Sequence, residues 1–375
     1  MTNFDDFVAG FADEEPGYLD YGHVGPLSVA AREERRVHEL ALTHARYGTI
    51  ARIEAEEDAR FRNAVAALTG FSADQVSFQP NTSTGLLHAT FGLTGGEVLL
   101  SPHEFPSLTY AATRAAQALH VITPLWLKST PGRVTPADIR DQLTPTTSAV
   151  MVSLVDSRTG YLADIDGIRQ VIGDRILIVD AVQGLGLTDA PYEVADVVVC
   201  GGHKWLRAGW GAGFLALSER VVEHLTPVFS GWSGSTSGEV PWDEVRDPVA
   251  GAGAFTATAP DSIAEASFAA ALEEISTVGV AAIESAVSAG VERVLSIADE
   301  YGLPVSSPRA VGERAGIVVL EPPAERVSGL GAQLFNHGVT ATLRPRGVRL
   351  SVHAGTNEET FEMLTAALTA YASAN

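Results

Sequence analysis

Ile176-Leu-Ile-Val-Asp180 and Val197-Val-Val-Cys-Gly-Gly-His-Lys-Trp-Leu206 are the two stretches that decide the fold. Each is a short, continuous apolar run with no alternation, the pattern of a strand buried on both faces of a parallel sheet. The first ends on a carboxylate, and the second leads through a glycine pair to a lysine. Both groups therefore stand at the carboxyl edge of strands, where α/β sheets bind ligands.

Outward from this pair, strand-like runs occur at Gln75–Phe78, Val98–Leu100, Val121–Leu127, Ala149–Val155 and Gly211–Leu217. Helical patterns fall between or before them, at Pro26–Tyr47, Ile50–Leu68, Leu108–Leu119 and Ile165–Ile172. This alternation predicts an α/β fold, a mostly parallel sheet with helices on both faces. The Gly- and Pro-rich stretch Ser230–Pro260 interrupts it. Beyond, Ser262–Asp299 reads as two long helices, followed by strands at Gly316–Leu320 and Gly347–Val352 and a last helix at Glu358–Tyr371. The expected division is a large α/β domain over 18–255 and a smaller α+β domain over 256–375, with residues 1–17 packed against the smaller one. A chain of 375 residues exceeds what one core usually serves.

Hydrophobic residues make up 46% and charged residues 19%, a balance that gives no case for disorder. The formal net charge of -21 repels phosphate backbones and anionic lipid, which excludes nucleic acid or a membrane surface as the main partner and leaves small-molecule chemistry. The apolar runs are strand-length, far short of the roughly 18 residues that span a bilayer. Met1–Glu15 is acidic and lacks a signal-peptide pattern, and one cysteine makes no internal disulfide. The expectation is a cytoplasmic protein. No two of the ten histidines stand three or four residues apart, so no zinc-ligand pair is expected.

Only Lys128 and Lys204 are lysines, whereas 23 basic residues are arginine. Arginine stays protonated and cannot condense with an aldehyde, while a desolvated lysine amine can lose its proton and form a Schiff base. Lys204 thus reads as the nucleophile of a pyridoxal 5'-phosphate site. Asp180 can pair with a protonated pyridine nitrogen and keep the ring an electron sink, and Gln183 can donate to the phenolate oxygen. Asn81-Thr-Ser-Thr-Gly85 follows a strand and opens a helix, so its hydroxyls and free amides form a candidate phosphate cradle. A nicotinamide site has little support, because no Gly-x-Gly-x-x-Gly lies between the first strand and its helix.

Asp-x-x-Gln at a strand end, with His-Lys-Trp-Leu about two dozen residues later, resembles the class V aminotransferase family of fold-type I pyridoxal phosphate enzymes. The resemblance extends from about Tyr18 to the C-terminal helix. It implies a Schiff base at Lys204, a ring partner at Asp180, a phenolate donor at Gln183, phosphate contacts from Thr82 and Ser83, and His203 beside them. Glu104-Phe-Pro-Ser107, Asp156-Ser-Arg-Thr-Gly160 and Gly231-Trp-Ser-Gly234 look closer to kynureninases and isopenicillin-epimerase-like members than to cysteine desulfurases. On that likeness Phe105 stacks on the pyridine, and Asp156 and Trp232 join the cofactor site. Kynureninase-like chains tend to carry Asn at Asp156 and Pro at Trp210, which puts the kynureninase substrate in doubt. Desulfurases need a nucleophilic cysteine on a loop of the C-terminal half, whereas the one cysteine here, Cys200, precedes Lys204 and reads as a core residue.

Arg349 matches the family position that grips the substrate α-carboxylate, with Arg344 and Arg346 as neighbours able to take that role. Tyr21, Gly22 and His23 resemble a segment that closes over the substrate, making His23 a pocket candidate. The resemblance also implies a homodimer with a shared site, in which Thr258 contacts the partner's phosphate. The reaction stays open among transamination, departure of a Cβ or Cγ substituent, kynureninase-like cleavage and epimerisation. A cofactor scaffold without turnover is the non-enzymatic alternative.

Overall fold

The computed structural model describes residues 3–374 except 45, 47 and 236–239. The predicted end of the first long helix at Tyr47, the start of the acidic N-terminal stretch at Met1 and the middle of the Ser230–Pro260 break lie outside the described residues. Among the described residues there are ten strands: β1 Val76–Gln79, β2 Gly96–Leu100, β3 Ile122–Trp126, β4 Thr147–Ser153, β5 Ile176–Asp180, β6 Val197–Gly201, β7 Gly213–Leu217, β8 Ile317–Leu320, β9 Thr342–Arg344 and β10 Gly347–Ser351. The helices are α1 Phe4–Ala9, α2 Val29–Thr43, α3 Thr49–Thr69, α4 Thr82–Gly92, α5 Pro106–Leu119, α6 Pro136–Arg140, α7 Ile165–Ile172, α8 Glu219–Val222, α9 Ser262–Val278, α10 Val280–Glu300, α11 Val327–Asn336 and α12 Glu358–Ser373. No single helix among the described residues is long and apolar enough to cross a membrane.

The first seven strands form one sheet in the order β1-β7-β6-β5-β4-β2-β3. It is parallel except for β7, which runs against both β6 and β1. The reversal follows from the loop between β6 and β7. Gly209 and Gly211 take positive φ there, at 85° and 90°, and Arg207 joins them at 55°. The chain therefore returns beside β6 instead of crossing over through a helix, and this tight loop carries Lys204.

Alternation within the strands sends side chains to two cores. Val198 and Cys200 of β6 face the layer of α3, α7 and α9, and Val197 and Val199 face that of α4 and α5. Gly85 permits the second packing, since a Cβ there would lie 2.5 Å from Val199. Although α9 falls beyond the expected boundary at 255, it packs on α2 and α3. The cause is Phe268, whose ring lies 5.4 Å from Phe61 of α3 and 6.3 Å from Phe214 of β7. At the outer side of this layer His38 sits between Glu34 and Glu57, and Arg60 reaches on to Glu273 of α9 at 2.7 Å.

The last three strands form an antiparallel sheet, β8-β10-β9, against which α10 and α11 pack. The N-terminal segment links the two sheets. It bridges Tyr18 to Thr340 and Asp20 to Ser351, then Gly25 N–H donates to the carbonyl of His203 at 2.8 Å. A Cβ on Gly25 would stand 2.0 Å from the Lys204 carbonyl oxygen, so only glycine allows this approach.

Candidate active site

Between the strand ends of the large sheet, the N-terminal segment and the β9–β10 hairpin lies a cavity of about 920 Å³. Lys204 stands inside it, 8% exposed, with Nζ 5.3 Å from the centre of the Phe105 ring. Burial pushes its amine down to about 8, with Arg349 and Arg344 adding to the shift and Asp180 opposing it. Asp180, the last residue of β5, is buried and held up at about 6 by desolvation, against a backbone hydrogen bond from Val182 and the charge of Lys204.

Gln183 is fixed at both ends. Its Oε1 accepts from Trp205 Nε1 at 2.7 Å, and its Nε2 donates to the Gly22 carbonyl at 2.9 Å, which leaves one amide N–H. Trp205 is anchored in turn by its carbonyl, which accepts from His353 Nε2 at 2.9 Å. His353 is neutral, because burial lowers it to about 3.

Helix α4 starts at Thr82, with Asn81 as its N-cap accepting from Thr84 N–H. Its first amides thus point into the cavity end lined by Thr82, Ser83 and His203. Thr82 Oγ1 is buried with no hydrogen-bond partner, while Ser83 Oγ lies 2.7 Å from Ser107 Oγ. His203 stacks on Trp210 at 4.1 Å and is kept neutral by burial, with a value near 4. An unpartnered buried hydroxyl at a helix N-terminus suits an anion. A carboxylate with one backbone hydrogen bond, an amide with a spare donor and an aromatic face over a lysine suit a pyridine ring. The residues present therefore fit pyridoxal phosphate.

The opposite wall is cationic. Arg349 of β10 is buried, and its Nη2 donates to Thr342 Oγ1 at 2.9 Å with Asp20 Oδ1 3.5 Å away. Arg344 also lines the cavity, and its Nη2 donates to the Ser157 carbonyl at 2.8 Å. Arg346 is exposed and outside it. His23 stands at the rim, 3.3 Å from Asp20.

Three expected cofactor residues do not line this cavity. Asp156 Oδ1 is engaged by the amides of Arg158 and Thr159 at 2.8 and 2.7 Å and by the Thr159 hydroxyl at 2.9 Å. It holds the turn that presents the Ser157 carbonyl to the two arginines. Trp232 lies partly exposed on a short 3-10 turn away from the cavity. Thr258 is exposed and also outside it, on a loop that follows Phe255.

Sequence reasoning missed Asp20, Thr342 and Trp210 as cavity residues and Glu104 as a buried acid. Glu104 accepts from the Ser153 hydroxyl at 2.6 Å, and desolvation raises it to about 8. A glutamate beside the ring-facing Phe105 was visible, but its burial under β4 was not. Asp20 and Thr342 are 322 residues apart, and no local pattern joins them.

The fold and this constellation define a fold-type I pyridoxal phosphate enzyme. A model of the aminotransferase class-V family matches residues 31–318, and the chain belongs to that family, whose cofactor is pyridoxal phosphate. It is 21% identical over 320 residues to a probable cysteine desulfurase of Pyrococcus abyssi (strain GE5 / Orsay), covering 83% of this chain and 79% of that one. With isopenicillin N epimerase of Amycolatopsis lactamdurans it shares 29% identity over 198 residues, 49% of each chain. The apo cysteine desulfurase of Thermococcus onnurineus NA1 superposes with a TM-score of 0.88 at 20% identity, over 100% of this chain and 99% of that one, a likeness of fold.

Proposed function

We propose that the chain acts on an amino acid through Lys204 as the cofactor-bearing lysine and proton carrier at Cα, with departure of a Cβ substituent as the outcome. The observation that carries this reading is a single cavity holding a buried lysine lowered to about 8, a buried carboxylate facing it and an arginine wall beyond. Bound pyridoxal phosphate supplies an electron sink for negative charge at the substrate Cα. The α4 amides with Thr82 and Ser83 would hold its phosphate, Asp180 would keep a proton on the ring nitrogen, and the spare N–H of Gln183 would donate to the phenolate oxygen. Phe105, whose ring centre lies 5.3 Å from Lys204 Nζ, would cover one face of the ring. Arg349 fixes the α-carboxylate, which orients the Cα–H toward the lysine amine that removes it.

Likeness to two cysteine desulfurases supports Cβ-substituent departure over transamination. A protein-bound persulfide has no carrier here. Cys200, the chain's only cysteine, is buried on β6, and desolvation holds its thiol far above the ordinary range. Epimerisation is the second reading. It is favoured by the epimerase relative and by His23 on Asp20, a second group able to return a proton. We place the enzyme in the cytoplasm as a homodimer, with Thr258 contacting the partner's phosphate. Exposed Trp210, Trp232 and Trp242 support an apolar interface, and sedimentation measures the state.

The test is the visible spectrum of the cofactor-loaded protein with single amino acids, with Lys204→Ala as control. A lysine-bound cofactor band that persists while keto acid accumulates supports the lyase. Bleaching to the amine form marks transamination, and Cα–H exchange without keto acid marks epimerisation. No band in the wild type overturns the reading.

A further inference from the structure

Two guanidiniums, not one, face the cavity from the β9–β10 hairpin, and they converge. Arg344 donates to the Ser157 carbonyl at 2.8 Å, and Arg349 Nη1 reaches the same oxygen at 3.5 Å. Their edges are thus separated by no more than about two hydrogen-bond lengths, roughly 6 Å.

Like charges held this closely under partial burial need anions. The protein supplies two near this wall, Asp156, whose charge acts on Arg344, and Asp20, which is already shared among Thr342, His23 and Arg349. Asp156 spends Oδ1 on its turn, and Asp180 faces Lys204 at the far end of the cavity. Each guanidinium has five N–H donors. Arg344 directs one bond to a carbonyl, and the buried Nε of Arg349 has no acceptor. The wall therefore keeps more hydrogen-bond donors than a single α-carboxylate satisfies.

We propose that the substrate is an amino acid carrying a second carboxylate on a short side chain. Its α-carboxylate sits on Arg349 and its distal carboxylate on Arg344. This rests on the reading of the cavity as an amino-acid site. Two or three carbons between the two carboxylates, the spacing in succinate and glutarate, match the separation of the arginines.

Calorimetric titration of the cofactor-loaded enzyme with succinate and glutarate, each against the monoacid of equal length, tests the assignment without turnover. None of these probes has an amino group to react. The diacids should bind about tenfold more tightly, the worth of one charge-assisted contact. Arg344→Gln should abolish that preference while keeping monoacid binding, and Arg344→Lys should restore part of it. Equal binding of diacid and monoacid overturns the proposal, as does no binding of either, or an equal loss of both in a folded Arg344→Gln protein. The lysine-bound cofactor band, read in the same samples with neutral amino acids, reports separately on the proposed function. If that band is present and responds, the diacid assignment alone has failed.

Discussion

The Nζ of Lys204 lies 5.3 Å from the centroid of the Phe105 ring, although the two residues come from different strand ends of one sheet. Ring and lysine together define a slot for a flat cofactor. Phe105→Ala should weaken pyridoxal phosphate binding by about tenfold, the order of one lost aromatic stacking contact. Absorbance titration of the apo protein measures it, and unchanged affinity would remove Phe105 from the slot.

Lys204 should titrate near 8 in the apo protein. Burial disfavours its ammonium form, so below that pH the amine is protonated and inert, and reaction with aldehydes should rise as pH passes through 8. Its folded value lies below that of the unfolded chain, so unfolding takes up a proton between about 8 and 10.5, and this group makes stability rise with pH across that window. Rate measurements with a simple aldehyde check the first point, and denaturant titrations the second.

Asp180→Asn should leave the protein folded but lower turnover by about a hundredfold or more, since a neutral amide no longer favours a proton on the ring nitrogen. Steady-state kinetics with the cofactor at saturation would show it. A loss confined to cofactor affinity would instead assign Asp180 to binding alone.

Trp205→Phe strips Gln183 Oε1 of its only side-chain donor in a buried setting. The expected cost is about 1–3 kcal/mol of stability, that of an unsatisfied buried acceptor. Urea unfolding gives the number.

Glu104 carries the clearest pH prediction for stability. Desolvation raises it to about 8, so the folded chain holds a proton that the unfolded chain releases near 4.5. Its contribution is greatest below about pH 4.5 and is lost as pH rises through 8, at up to about 1.4 kcal/mol per pH unit. Glu104→Gln should flatten that limb of the stability curve while leaving the Ser153 contact in place.

Much of this was legible in the chain itself. Apolar runs of strand length located β4 to β7, and Lys204 was named as one of two lysines beside 23 arginines, placed after a strand and a glycine pair, because period and composition are local properties of sequence. Asp180, Gln183, Thr82 and Ser83 were named at a strand end and a helix start, where an α/β sheet presents its ligand edge, Phe105, His203 and Arg349 from likeness to the family, and all line one cavity. Asp156 and Trp232, also named from motif likeness, do not line it, Asp156 holding a turn and Trp232 lying partly exposed.

What the sequence determined by itself was the periodic elements and the chemistry-bearing residues at their ends. Only the tertiary structure decided that β7 runs antiparallel, that α9 joins the large sheet through Phe268, and that Asp20 meets Thr342 and Arg349 across more than 300 residues. The reason is physical. Periodicity reports burial within one element, whereas pairing between a terminal segment and a distant hairpin depends on a backbone approach such as that of Gly25 to Lys204, set by the packing of the whole chain.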